Sequence, residues 1–288
     1  MLQPPLPRVL VTGATGRVGT LLRAAWMMAP PARFLPVWQT RVARGDGWLF
    51  WDILGTRCPD MTPAPDVIVN LAGAPPTRPD ALADNLDLAR AAHETAVRFG
   101  SRHLFLASSA AVYAPDHPGL MAESRKLRPV TPYGRAKADM ERAALCWTGP
   151  AITILRIGNV VGADALLGAA RPDHPVRLDP VPGHLGGPER SWIGPATLAD
   201  ALGSLIVQAL AATPLPRVLN LAQTPARTMG EMLDAAWIPW HFGPHNPRVA
   251  GRVALAGSRL THTLPMPLPP ADPARMVAEW RSLTRLSA

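Results

Sequence analysis

Tyr133 and Lys137 stand four residues apart in TPYGRAK, and two serines, Ser108 and Ser109, close an apolar run upstream. A phenol with an ordinary pKa of about 10 needs a nearby positive charge to exchange protons near neutral pH. On a helix, residues four apart share a face, so Lys137 can supply that charge and can also reach a ribose hydroxyl. A serine from a neighbouring strand tip would hold the oxygen that receives or yields the proton. The spacing is a poor match to chance, because among 29 Lys plus Arg residues only Lys126 and Lys137 are lysine.

Proton exchange of this kind needs a redox partner, and the N-terminal segment offers a place for one. An apolar strand pattern, RVLVT, runs into Gly13, Ala14, Thr15, Gly16, Arg17, Val18 and Gly19, followed by an apolar helical pattern. Gly13 and Gly16 permit a tight turn and close approach of backbone N–H groups to a pyrophosphate, while Gly19 lets the helix pack against the strand. Strand before and helix after is the context that gives a glycine triplet this meaning. The next strand ends near Trp38-Gln39-Thr40-Arg41, without an acidic residue for a ribose 2′-OH. Arg41, with Arg17 and Arg44 nearby, suits a 2′-phosphate, which a planar guanidinium can bind in a bidentate way. NADP(H) is therefore favoured over NAD(H).

Further candidates lie at other strand ends. Asp52, followed by Ile53, can hydrogen-bond an adenine amino group or cap a helix. The run NLAGAPP places Leu71, Ala72 and Gly73 where a backbone would pass close to a cofactor. Asn85 either ties neighbouring backbone through its amide or serves as an N-cap.

The elements that must position these residues follow from periodicity. Short β-branched runs at 8–13, 34–39, 48–52, 66–73, 103–109, 152–158 and 217–222 alternate with helical patterns at 17–28, 80–99, 133–146 and 196–212. A terminal helix is expected over 273–285, with Asp272 as cap and Pro273 as first helical residue. The fold class is α/β, a Rossmann-type doubly wound parallel sheet with a small C-terminal substrate lobe. Residues 1–160, completed by 196–222, would form the dinucleotide-binding domain, and 161–195 with 223–288 the lobe, whose Pro, Gly and His content weakens periodicity.

Composition narrows the partners. With 288 residues, 48% hydrophobic and 17% charged, and no apolar run near the ~18–20 residues that a bilayer requires, the chain reads as soluble, with no membrane partner. MLQPPLPR lacks an apolar leader, so a cytoplasmic location is expected. The net charge of +8 is scattered along the chain, which argues against nucleic acid. Cys58, Cys146 and the eight histidines show no ligand spacing, so no metal is expected. His184, in a glycine-rich loop, is solvated or touches a substrate.

Taken in order, GATGRVG, Asp52, NLAGA, Asn85, SSAAVY, YGRAK, LRIGNVVG and RSWI resemble the extended short-chain dehydrogenase/reductase superfamily, in its branch of nucleotide-sugar epimerases, dehydratases and reductases. The resemblance spans about residues 8–222. It implies that Ser109 is the catalytic hydroxyl, with Ser108 the neighbour that could be confused with it. Tyr133 is then the general acid/base, and Lys137 lowers its pKa and binds the nicotinamide ribose. Asn159 would meet the substrate and Arg190 a nucleotide-sugar diphosphate. Where the family often carries an acidic residue after the segment matching RSWI, this chain has Gly194-Pro195-Ala196-Thr197, and Asp200 comes later.

The activity implied is hydride transfer to or from a carbonyl or hydroxyl of a sugar or nucleotide-sugar-like substrate. Alternatives are an epimerase with tightly held cofactor, or a non-catalytic NAD(P)H-sensing regulator; sensors typically lose the Tyr or Lys, and both remain here. Ala110 and Ala111 after Ser109 argue against dehydration, which often uses an acid there. A homodimer through the Tyr-Lys helix and the helix before it is expected from the same resemblance.

Overall fold

The computed structural model of the chain describes residues 5–285 apart from Asp116, Pro172 and Arg248. Seven strands build the central sheet: β1 Arg8–Thr12, β2 Leu35–Thr40, β3 Trp48–Phe50, β4 Val67–Asn70, β5 His103–Ser109, β6 Ala151–Ile157 and, later in the chain, β11 Val218–Leu221. All neighbours pair in parallel, in the order β11-β6-β5-β4-β1-β2-β3. The chain winds outward from β1 to β3, returns to β4 and winds the other way. The C-terminal ends of β1 and β4 are thus the switch point at which such sheets bind ligands.

Alternation along each strand explains why both faces are covered. Val9, Val11, Val67, Val69 and Phe105 point into one core with Trp26, Leu202 and Leu205. This face lies under α1 Arg17–Met28 and α4 Pro195–Leu210. Leu10, Ile68, Leu104 and Leu106 point into the other, against Ala89, Ala92, Met140 and Ala144 of α2 Asp84–Phe99 and α3 Pro132–Ala144. The alanines of α2 let helix and sheet approach closely. Truncating Leu106, which is fully buried, to alanine would cost ~2–5 kcal/mol.

Beyond β6 the strands are short: β7 Asn159–Val160, β8 Val176–Leu178, β9 Glu189–Arg190, β10 Trp192–Ile193, β12 Arg227–Thr228, β13 Trp240–Phe242 and β14 Arg252–Val253. They pair as β7 with β10, β8 with β13, and β9 between β12 and β14. A third core, including Leu178, Trp192, Met232, Ile238 and Met276, packs them with α5 Met229–Ala235. A capping box between Thr228 and Glu231 starts α5. After α6 Ser258–Thr263, α7 Pro273–Thr284 begins at an Asp272 cap and packs on α1, α4 and α5. The carboxylate that Gly194–Thr197 lacks in sequence arrives from α7, where Glu279 accepts from the Thr197 amide (2.9 Å) and hydroxyl (2.7 Å) at the start of α4. Among the described residues no helix is long and apolar enough to cross a membrane.

Candidate active site

The strand alternation that fills the core also separates the two serines. Ser108 shares the face of Leu104 and Leu106 and lies under α3, where its hydroxyl donates to Glu141 Oε1 at 2.5 Å. Ser109 closes the strand, accepts from the Ala111 amide at 3.2 Å and lies near enough to the Tyr133 phenol to lower its pKa. Of the two serines, Ser109 is the one on the Tyr133 side.

Tyr133 is the second residue of α3, whose start is fixed by Pro132 and by Thr131, whose hydroxyl accepts from the Gly134 amide at 3.0 Å. Crowding beside Ala74, Ala81 and Leu82 raises the phenol pKa above its ordinary value, while Ser109 beside it acts the other way. One turn on, Lys137 is buried and donates from Nζ to the Ala107 carbonyl at 2.9 Å. Burial lowers its pKa to about 8, opposed by the negative charge of Glu141. The ammonium is thus turned towards β5 and the segment after β4, and the phenol is governed mainly by its own desolvation.

The cradle beside this pair fits a dinucleotide. Gly13 adopts φ +71°, and a Cβ there would lie 2.4 Å from the Ala72 amide nitrogen, so no other residue fits without moving the Leu71–Ala72 backbone. Thr15, Gly16, Arg17, Val18 and Gly19 carry the chain from that turn into α1. No acidic residue occupies the first turn of α1 and no side chain caps it, leaving its amides and partial positive charge available to a phosphate. Gly73 forms a notch: a Cβ there would meet Asn85 Oδ1 at 2.8 Å and Lys137 Nζ at 3.0 Å. Asn85 sits inside α2 and is no N-cap; its amide donates to the carbonyls of Ala74 and Leu82, and its buried Oδ1 has no partner. An orphaned acceptor beside a glycine notch is what a ribose or nicotinamide donor would satisfy.

At the rim, Asp52 is exposed, and its backbone carbonyl, not its side chain, closes the turn to Gly55 and Thr56. The carboxylate therefore caps no helix, and the next side chain, Ile53, is buried. Arg17, Arg41 and Arg44 are exposed; Arg44 lies over the Trp48 ring at 4.7 Å. Gln39, which the sequence reading passed over, bridges the strand tips: Oε1 accepts from the Gly13 amide (2.9 Å) and Nε2 donates to the Trp51 carbonyl (2.6 Å). A polar residue ending an apolar strand beside a glycine loop was the available signal.

On the lobe side, Asn159 opens β7 and is half-buried. Arg190 donates from Nη1 to the Glu189 carbonyl and from Nη2 to that of Ala250, at 2.8 and 2.6 Å, so its guanidinium is anchored on the β14 approach. His184 Nδ1 lies 3.7 Å from Glu189 Oε2. The sequence reading also missed a buried polar cluster. Arg156 of β6 binds Glu141 through Nε and Nη2 (2.7 Å) and donates from Nη1 to the Tyr113 hydroxyl (2.8 Å). An arginine inside the apolar run ITILRIG was its signal, since a buried charge requires a partner.

A family model described as NAD dependent epimerase/dehydratase family matches residues 9–176. No curated protein matches the chain. Among solved structures, MoeE5 in complex with UDP-glucuronic acid and NAD is 21% identical, with 98% of this chain and 100% of that one covered and a TM-score of 0.74. A UDP-glucose-4-epimerase from Stenotrophomonas maltophila with bound NAD and formylated UDP-arabinopyranose is 20% identical over 98% and 99%, at 0.75. TunA, an NAD dependent NDP-hexosamine 5,6-dehydratase, is 17% identical over 96% and 98%, at 0.71. At these identities the likeness is one of fold.

Proposed function

The chain belongs to the NAD dependent epimerase/dehydratase family, enzymes of the extended short-chain dehydrogenase/reductase type, and from that premise we propose an oxidoreductase acting on a carbonyl or hydroxyl of a sugar or nucleotide sugar. The observation that carries this reading is the placing of Ser109, Tyr133 and Lys137 together: Ser109 beside the phenol, and the lysine and Asn85 lining the Gly73 notch. The nicotinamide, when bound, supplies or accepts the hydride. Ser109 orients the substrate oxygen, Tyr133 gives or takes its proton, and Lys137 holds the ribose. Asn159 and Arg190 meet the substrate in the lobe formed by 161–195 and 223–288, and two copies associate through α2 and α3.

For the cofactor we propose NADP(H). The β2 tip offers Gln39, whose amide is committed at both ends, then Thr40 and Arg41, with no carboxylate for a 2′-OH. The neighbours named above hold NAD, so the choice rests on this chain's own rim.

Mixing stoichiometric protein with NADPH or NADH and a panel of UDP-, dTDP- and GDP-sugars and ketones, while following dihydronicotinamide absorbance, tests the activity. Net consumption marks a reductase; a converted sugar with no net change marks an epimerase that retains its cofactor. No conversion of any substrate by cofactor-loaded protein would contradict both. The pH dependence has a defined sign. Because burial raises the Tyr133 pKa, the phenol is protonated at neutral pH. Carbonyl reduction, which uses the acid form, should proceed through neutrality, and alcohol oxidation, which uses the base, should rise as the pH increases. The opposite order in the two pH profiles would contradict the assignment.

A further inference from the structure

Three consecutive residues of β5 each meet a residue of α3. Lys137 Nζ donates to the Ala107 carbonyl, the Ser108 hydroxyl donates to Glu141, and Ser109 lies beside Tyr133. The helix residues are spaced by four, so they form one stripe facing one strand end. Two of them belong to the proton chemistry; Glu141 touches no reacting atom and is fully buried. We propose that Glu141 is a positioning residue: its carboxylate fixes the β5 tip under α3 and keeps the Lys137 ammonium charged in a site that excludes water.

The carboxylate is unusually well supported for a buried charge. Oε1 accepts from Ser108 and from Arg156 Nε, and Oε2 accepts from Arg156 Nε and Nη2 at 3.1 and 2.7 Å. Arg156 lies opposite Ser108 in the β5–β6 register, so one ion pair spans the helix and both strands. Its remaining contacts, to the Tyr113 hydroxyl and the Glu123 carbonyl, lead outward to Asn220 and, through Glu123, to Arg259 at 3.7 Å. Around Lys137 the groups that face it are the Ala107 carbonyl from β5, Gly73 with neutral Asn85 beyond it from the β4 and α2 side, and Tyr133 and Glu141 from its own helix. On the same face of the sheet, behind Glu141, lie Arg156, Tyr113 and Glu123. The Glu141 carboxylate favours the protonated lysine, against a larger opposing effect of burial. Remove that charge and desolvation acts alone, so the ammonium gives up its proton at lower pH.

The inference rests on the reading of Tyr133 and Lys137 as the proton centre, but its test needs no turnover. With only two lysines in the chain, protein labelled at lysine 13Cε gives two side-chain resonances, and Lys126→Arg assigns them. A pH titration of the cofactor-free protein should give Lys137 a midpoint near 8. In Glu141→Gln that midpoint should fall by about one pH unit, with the exposed Lys126 unmoved. Ser108→Ala, which deletes one hydrogen bond and keeps the carboxylate, should leave it in place. Because Glu141→Gln strands a buried guanidinium, the paired change Glu141→Met with Arg156→Met removes both charges together, and the midpoint should fall there too. An unchanged Lys137 midpoint in the folded Glu141 variants would overturn the proposal. Activity profiles across the same variants then separate the two readings: a moved midpoint with no change in turnover at any pH would leave Glu141 acting on a lysine that the reaction does not use.

Discussion

Around β5 and α3, two successive strand residues are hydrogen-bonded to the helix, one of them beside a buried ion pair, whereas over the tips of β2 and β3 the arginines stand in solvent. Arg156 and Glu141 are 4% and 0% exposed by side chain, and each hydrogen bond they make has a partner in a different element. Arg41 is exposed at the end of β2, and its neighbour Arg44 rests on the Trp48 ring. On the proposed function, the contrast separates two tasks. Proton exchange needs atoms fixed to within tenths of an ångström in a dry setting, which only a packed and fully bonded network supplies. Cofactor choice needs a charge near one phosphate, which an exposed side chain can provide without the fold depending on it.

Three changes probe that contrast, in falling order of effect. Arg156→Met should strand Glu141 without its partner and destabilise the protein by ~3–5 kcal/mol, seen as a lower midpoint in urea denaturation; a loss below about 1 kcal/mol would show the network to be no firmer than a surface pair. Gly13→Val sets a side chain against the Ala72 backbone at a positive φ. It should weaken dinucleotide binding by roughly 100-fold, about 3 kcal/mol, in a fluorescence titration, and wild-type affinity would remove the glycine loop from the cradle. Arg41→Ala should leave the melting temperature unchanged and raise the Kd for NADPH about tenfold, ~1.4 kcal/mol, with NADH unaffected. Equal loss for both cofactors, or a wild-type preference for NADH, would contradict the reading of the β2 rim.

The sequence was most legible where structure is local. The apolar run ending in Ser109 is β5 to the residue, and the pattern over 17–28 is α1, because alternation and helical period are written in consecutive side chains. The turn at Gly13, the end of β5 at Ser109 and the placing of Tyr133 and Lys137 one turn apart on α3 were readable for the same reason, while the roles proposed for them came from the resemblance. What stayed hidden depends on residues far apart in the chain. Gln39 matters because β1 and β3 flank it, Glu141 because β6 brings Arg156 to it, and Glu279 because α7 delivers it to the head of α4. The two-residue strands after β6 have no period to detect, and their pairing is settled by tertiary packing. The TMGE capping box of α5 was visible in the sequence, yet the helix it starts is only seven residues long.

The central claim is that Tyr133 moves the proton while a bound nicotinamide exchanges hydride. Its most direct test compares the wild-type protein with Tyr133→Phe, measuring NADPH affinity and the single-turnover rate on whichever substrate the panel identifies. The account predicts unchanged cofactor affinity and a rate lower by ~10²–10⁴-fold. A Tyr133→Phe protein that turns over at the wild-type rate would contradict it.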